Sequence, residues 1–235
     1  ALPISSQNAL VMRPFLSKNN NVDVLRDLAP ITQLWKATTL ILVNAALPVK
    51  SLPELIAYAK ANSGKLSYGT SGPGTSHHFT GEQIQQLTGV RMEHVAYKGG
   101  VGSMQAAMTG EVQVAIGLAE TAMPVVRSGK VRVLAFVEGK PFASMPGVPT
   151  ASDVIPGFEA PPSWIGVFGP AKLPGALVNR VNALIVQGLN APEVRAKAEE
   201  GFELVGDAPA SFTATLRKQY ALVGRIAKEI GRAHV

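Results

Sequence analysis

The stretch Leu66-Ser67-Tyr68-Gly69-Thr70-Ser71-Gly72-Pro73-Gly74-Thr75-Ser76-His77-His78 decides the fold. Leu66-Ser67-Tyr68 reads as a short strand, Gly69 to Ser76 as a loop rich in Gly, Ser and Thr, and His77 to about Leu87 as a helix. Gly89 supplies the left-handed terminus of that helix. The same cycle then repeats. Met92 to Ala96 is a strand, Tyr97-Lys98-Gly99-Gly100 a loop, and Ser103 to Met108 a helix ending at Gly110. Val112 to Ile116, Glu120 to Arg127 and Val131 to Val137 follow as strand, helix and strand. Strands alternating with short helices predict an α/β fold with mostly parallel sheets and right-handed crossovers.

Outward from this block, Leu40-Ile41-Leu42-Val43 is a continuous apolar run, the pattern of a strand covered on both faces. It ends an extended stretch that starts at Ile31, after a loop-rich beginning that reaches Asn21. Ser51-Leu52-Pro53-Glu54 is a capping box that opens a helix running to about Ala61. A Pro-rich connection from Pro141 to Pro162 leads to a buried strand at Trp164 to Phe168. Pro174 starts a helix whose inward face is read as Leu177, Val181, Leu184 and Leu189. A short helix from Pro192, a strand at Phe202 to Val205 and an amphipathic helix from Pro209 to about Ile230 complete the chain.

The chain has 235 residues, 46% hydrophobic and 16% charged, enough apolar material for a large core. No apolar run reaches the roughly 18 residues of a membrane helix, so no such span is expected. The absence of cysteine excludes thiolate metal sites, disulfides and Cys nucleophiles. Lys and Arg number 22 against 16 Asp and Glu, a net charge of +6 that favours anionic partners. Nucleic-acid binders concentrate that charge in a patch interleaved with aromatics. Here Lys50, Lys60, Lys65, Arg91, Lys98, Arg127, Lys130 and Arg132 are scattered, and the cluster Arg217, Lys218, Arg225, Lys228 reads as a solvated helix face. Small anions fit better than nucleic acid. The end stretches, residues 1–4 and 231–235, resemble translated sequencing-adapter read-through and are expected to be non-native.

The loop at Tyr68 to His78 carries the chemistry. Its glycines leave backbone N–H groups unshadowed at a helix N-terminus, where partial positive charge and free donors attract anions. Thr70, Ser71, Thr75 and Ser76 add hydroxyls. No Gly-Lys-Ser/Thr follows, which rejects a phosphate loop, and Gly69-x-x-Gly72-x-Gly74 has the wrong spacing for a dinucleotide fingerprint. A carboxylate or small oxyanion remains. A serine hydrolase using Ser71 is the alternative, because Gly69-Thr70-Ser71-Gly72-Pro73 nearly matches a nucleophile elbow, with Pro73 in place of the last Gly. His77 and His78 cannot share a metal, since adjacent helical residues point about 100° apart. Tyr97-Lys98-Gly99-Gly100 repeats the logic in the next βα unit, so two glycine-bearing loops are expected side by side at one sheet edge.

Ser51 to Lys60, Ser67 to His78, Val95 to Gly100 and Ser163-Trp164-Ile165-Gly166 with Pro170 together resemble the Bug family. These are the extracytoplasmic solute receptors of tripartite tricarboxylate transporters. The turn Val148-Pro149-Thr150 and the start of the last helix at Pro209 to Phe212 fit as well, and the similarity spans about Leu10 to Ile230. The resemblance implies a type II periplasmic-binding-protein fold. Lobe one would be residues 5–43 plus 135–230 and lobe two 44–134, with hinge crossings near Val43-Asn44 and Leu134 to Phe136. It implies a monomeric periplasmic receptor, without cofactor or metal, that captures a small carboxylate and delivers it to membrane subunits. Thr70, Ser71, Gly72, Gly74, Thr75 and Ser76 would form one carboxylate-binding loop, and Tyr97, Lys98, Gly99 and Gly100 its neighbour. The chain departs from the family in two respects. An earlier series of about two βαβ-sized units is expected to be missing, as from an N-terminal truncation, and no Asp stands near Gly117 or Leu118, which disfavours an amino-acid ligand.

Overall fold

The computed structural model describes residues 2–16, 22–138, 142, 144–160, 162–198 and 202–233. Of the expected features, Ala1, the start of the Pro-rich connection at Pro141 and the terminal His234-Val235 lie outside them. In chain order the first elements are β1 (Ile4–Ser6), a π-helical turn (Asn8–Met12), α1 (Arg13–Leu16), α2 (Val24–Asp27), β2 (Leu28–Ala37) and β3 (Thr39–Asn44). Then come α3 (Leu52–Ala61), β4 (Ser67–Thr70), α4 (Ser76–Thr88), β5 (Glu93–Ala96), α5 (Gly100–Thr109), β6 (Val114–Leu118), α6 (Ala119–Arg127) and β7 (Val131–Phe136). The last are α7 (Ala151–Val154), β8 (Ser163–Pro170), α8 (Gly175–Leu189), α9 (Pro192–Ala198), β9 (Phe202–Leu204) and α10 (Pro209–Ala233). No helix among the described residues is long and apolar enough to cross a membrane. Two compact units result, residues 1–37 with 161–229, and residues 38–160 with 230–235.

The second unit holds a five-stranded sheet in the order β5-β4-β6-β3-β7. β4 pairs parallel with both β5 and β6, and β3 pairs antiparallel with both β6 and β7. Strands β4 to β7 therefore share one direction and β3 alone runs against them. The apolar run in β3 is fully buried, as its sequence predicts. Ile41 and Val43 enter the cluster that α3, α4 and α7 cover, while Leu40 and Leu42 enter the cluster under α5 and α6. The strand's two-residue period thus feeds both halves of the core. At α3 the capping box forms with a small variation: Ser51 Oγ accepts from the Glu54 amide at 3.3 Å, and Glu54 accepts from the Lys50 amide at 2.8 Å.

The first unit is built differently from the expected mostly parallel sheet. Its four strands, in the order β1-β8-β2-β9, pair antiparallel throughout. Strand direction depends on which strands meet across long connections, and the pattern of elements along the chain does not carry that information. Trp164, Phe168 and Phe212 pack together, with the Trp164 and Phe212 rings edge to face at 5.1 Å. The Trp164 indole donates to Gln219 at 2.8 Å.

Two local expectations are corrected. The beginning of the chain is not all loop: Leu10, Val11 and Met12 are buried in the π-helical turn, a segment too short to show periodicity. On α8 the inward face is Val178, Val181 and Ile185, packed with Ile31 and Val167, whereas Leu177 and Leu184 are exposed by 44% and 61%. The apolar arc of this helix is wide, with Leu177 and Leu184 lying beside Val178, Val181 and Ile185, so stripes offset by one residue look alike in sequence.

Candidate functional site

Both glycine-bearing loops belong to the second unit. The parallel register of β4 and β5 sets Thr70 opposite Ala96, and the Tyr97 amide donates to the Thr70 carbonyl at 3.0 Å. The chain therefore leaves two neighbouring strands at the same sheet edge and enters α4 and α5. The loops touch: a methyl at Gly72, whose φ of 128° itself calls for glycine, would lie 3.5 Å from the Tyr97 carbonyl oxygen.

Within the first loop several polar groups satisfy one another. Thr75 caps α4, accepting from the His78 amide at 3.3 Å and donating its hydroxyl to the Gly72 carbonyl at 2.8 Å. Thr70, fully buried, accepts from the Gly72 amide at 3.2 Å and lies 2.7 Å from His94 Nε2. The Gly74 amide donates to His78 Nδ1 at 3.2 Å. In the second loop the Gly99 amide donates to the Tyr97 carbonyl at 3.0 Å. The amides of Gly72, Gly74 and Gly99 are thus engaged inside the chain. Among the described residues, no internal hydrogen bond takes up the amides of Ser71, Thr75, Lys98 or Gly100. Gly99, the residue before α5, offers that helix no side-chain cap. Free donors on the two loops that lead into α4 and α5 suit an acceptor-only group such as a carboxylate.

The remaining predicted residues take distinct places. Ser71 Oγ lies 2.8 Å from His77 Nδ1. Ser76 is buried in the first turn of α4. Lys98 is exposed. The Tyr97 hydroxyl donates to Glu111 at 2.7 Å, and burial with that partner pushes its pKa up to about 12. The side chain lies against Gly69 and Gly102, where an added methyl would come within 3.2 Å of its ring and 3.3 Å of its Cβ.

Sequence reasoning missed the histidine scaffold beneath the loop. The His78 and His94 rings stack at 4.1 Å, and Tyr68 stacks on the other partner, His94, at 5.0 Å. The Tyr68 hydroxyl donates to Glu82 at 2.5 Å. Burial lowers the His94 pKa to about 4, with the neighbouring His78 adding to the effect. His94 reaches Thr70 from the next strand, a proximity that only sheet register creates.

The hydrolase alternative is not supported. His77 is 4% exposed and its Nε2 has no partner among the described residues. Among the described residues no carboxylate orients the ring that faces Ser71, so the serine lacks the third member of a catalytic triad. Burial lowers the His77 pKa to about 4. The described residues also contain no group of three His, Asp or Glu side chains placed to hold a metal ion.

The model for the tripartite tricarboxylate transporter family receptor matches residues 3–232. The chain is 33% identical over 220 residues to the "UPF0065 protein in gbd 5'region" of Cupriavidus necator, covering 91% of this chain and 66% of that protein. It is 28% identical over 210 residues to "Protein BugT" of Bordetella pertussis, covering 89% and 61%. Among solved structures, "R. palustris Rpa4515 with adipate" superposes with a TM-score of 0.87 at 26% identity, covering 98% of this chain and 77% of that one. The chain therefore spans about two thirds of the length of these curated relatives.

Proposed function

We propose, from the premise that the chain belongs to the tripartite tricarboxylate transporter receptor family, that it captures a small carboxylate at the loops 70–76 and 97–100. On this reading it is a receptor and not an enzyme, working as a monomer in the periplasm and handing its solute to the transporter's membrane subunits. The observation that carries the reading is the set of unengaged amides, Ser71 and Thr75 from one loop with Lys98 and Gly100 from the next, at one sheet edge. Hydrogen bonds from N–H groups to an ionised carboxylate contribute roughly 1.5–3 kcal/mol each, about twice a neutral bond. The starts of α4 and α5 add about 0.3–1 kcal/mol each through their dipoles. Lys98, exposed beside these donors, supplies attraction without fixed geometry. A solute that presents only acceptors satisfies every donor without leaving a buried group unpaired.

Titration calorimetry of the chain against a panel of adipate, succinate, malate, citrate and acetate tests this. Saturable heat with at least one di- or tricarboxylate is the expected outcome. Absence of heat with every member of the panel overturns the proposal.

A further inference from the structure

The hydrogen bond between Ser71 Oγ and His77 Nδ1, 2.8 Å long, can run in either direction, and the direction decides what Ser71 offers to a ligand. If Ser71 donates, the ring proton sits on Nε2. That atom is buried and partnerless among the described residues, so a buried N–H would be left unsatisfied. If Nδ1 carries the proton, it donates to Ser71 and Nε2 is left as a bare lone pair. Buried N–H groups without partners are rarer in native proteins than under-satisfied acceptors, because an unmet donor forfeits its full hydration. The doubly protonated ring is disfavoured as well, since burial opposes the charge. The Nδ1–H form is therefore selected by the surroundings of the ring.

We propose that His77 is a positioning residue: by donating from Nδ1 to Ser71 Oγ it frees the serine proton to serve as a dedicated donor to the bound carboxylate. The proposal rests on the receptor reading above. Ser71 Oγ makes no other hydrogen bond among the described residues, so its proton has no competing acceptor in the chain. The consequence is a specificity. A hydroxyl held this way donates to an anionic oxygen and has one lone pair already occupied by His77. It discriminates for ionised carboxylates and against ligand groups that must themselves donate at that point.

Two measurements test it. Multiple-bond proton–nitrogen correlation NMR on the nitrogen-15-labelled chain without ligand reads the tautomer of each histidine directly. The expected spectrum has His77 with a protonated Nδ1 and an unprotonated Nε2, unchanged between pH 6 and 8; the reverse assignment overturns the proposal even if carboxylates bind. Calorimetry with the best-bound of adipate, succinate and citrate supplies the second. Ser71→Ala should weaken binding at least about tenfold, the loss of one hydrogen bond to an ionised carboxylate, and His77→Phe, which keeps the hydroxyl but removes the group that orients it, should weaken binding by a smaller factor. The double variant should bind no more weakly than Ser71→Ala alone, because His77 acts through the serine. A further fivefold loss in the double variant shows an independent role for His77 and overturns the proposal. If no carboxylate binds the parent chain, the receptor reading falls and this proposal's ligand falls with it, while the NMR result still decides the direction of the Ser71–His77 bond.

Discussion

A methyl group at Gly81, in the middle of α4, would lie 2.6 Å from Cζ of Tyr68. Tyr68 cannot retreat, because its ring is fully buried and its hydroxyl is held by Glu82. Two effects of Gly81→Ala therefore oppose each other. Alanine gains up to about 1 kcal/mol of helix propensity over glycine, whereas overpacking costs about 1–3 kcal/mol. The steric cost wins, and the urea midpoint of Gly81→Ala is expected to fall. Gly188→Ala in α8 meets nothing within 4 Å and should raise the midpoint by the equivalent of about 0.5 kcal/mol. If both variants shift the midpoint the same way, the contact at Tyr68 is not what keeps position 81 small. The same residue scale limits what sequence shows of the site. The glycines and hydroxyls of 70–76 mark an anion loop on chemistry alone. Which amides stay available depends on Thr70 and His78 capturing those of Gly72 and Gly74, and on Tyr97 turning its hydroxyl to Glu111. Those are outcomes of side-chain rotamers, and spacing does not encode them.

Elements were legible where a local signal fixes them. The Ser51 box, the left-handed glycines after α4 and α5, and the buried run of β3 each act within a few residues, and each forms as its sequence predicts. The inward face of α8 and the antiparallel pairing of β8 with β2 depend on distant partners, and there the reading failed or was silent. At α4 the element also predicts a pH response. His77, in its first turn, has its pKa lowered from 6.5 to about 4 by burial. The unfolded chain binds a proton there near pH 6.5 and the folded chain does not until about pH 4. Unfolding therefore takes up protons between these values, and stability is full above about pH 7 and falls as the pH drops towards 4. The contribution of this group is on the order of 2 kcal/mol by pH 5, at 1.36 kcal/mol per unit. Urea unfolding of the parent chain should show this decline, and His77→Phe should make it shallower between about pH 7 and 5, the remainder coming from His94, whose pKa is also lowered to about 4. An equally steep profile in the variant assigns the decline to other groups.

For the molecule as a whole, the question is what its net charge of +6 does. Charge acts on association in two ways that differ in size. A diffuse positive field steers a small dianion and speeds its capture by a factor that salt reduces, here by less than about tenfold between 20 and 200 mM. A basic surface made for a polyanion displaces a counterion at each contact, and six or more phosphate contacts lose about a thousandfold in affinity over a similar range. Exposed Lys50, Lys60, Lys65, Arg91, Lys98, Arg127 and Lys130 are spread along the sequence of the site-bearing unit. Of the cations in that unit, Lys98 sits within a site loop, so the small-anion regime applies. Stopped-flow capture of the best-bound carboxylate should accordingly slow only severalfold as salt rises, with the dissociation rate nearly constant, since the amide donors that hold the ligand carry no net charge. A steep affinity loss for a duplex oligonucleotide, with nanomolar binding at low salt, would instead assign the positive charge to a polyanion and detach it from solute capture.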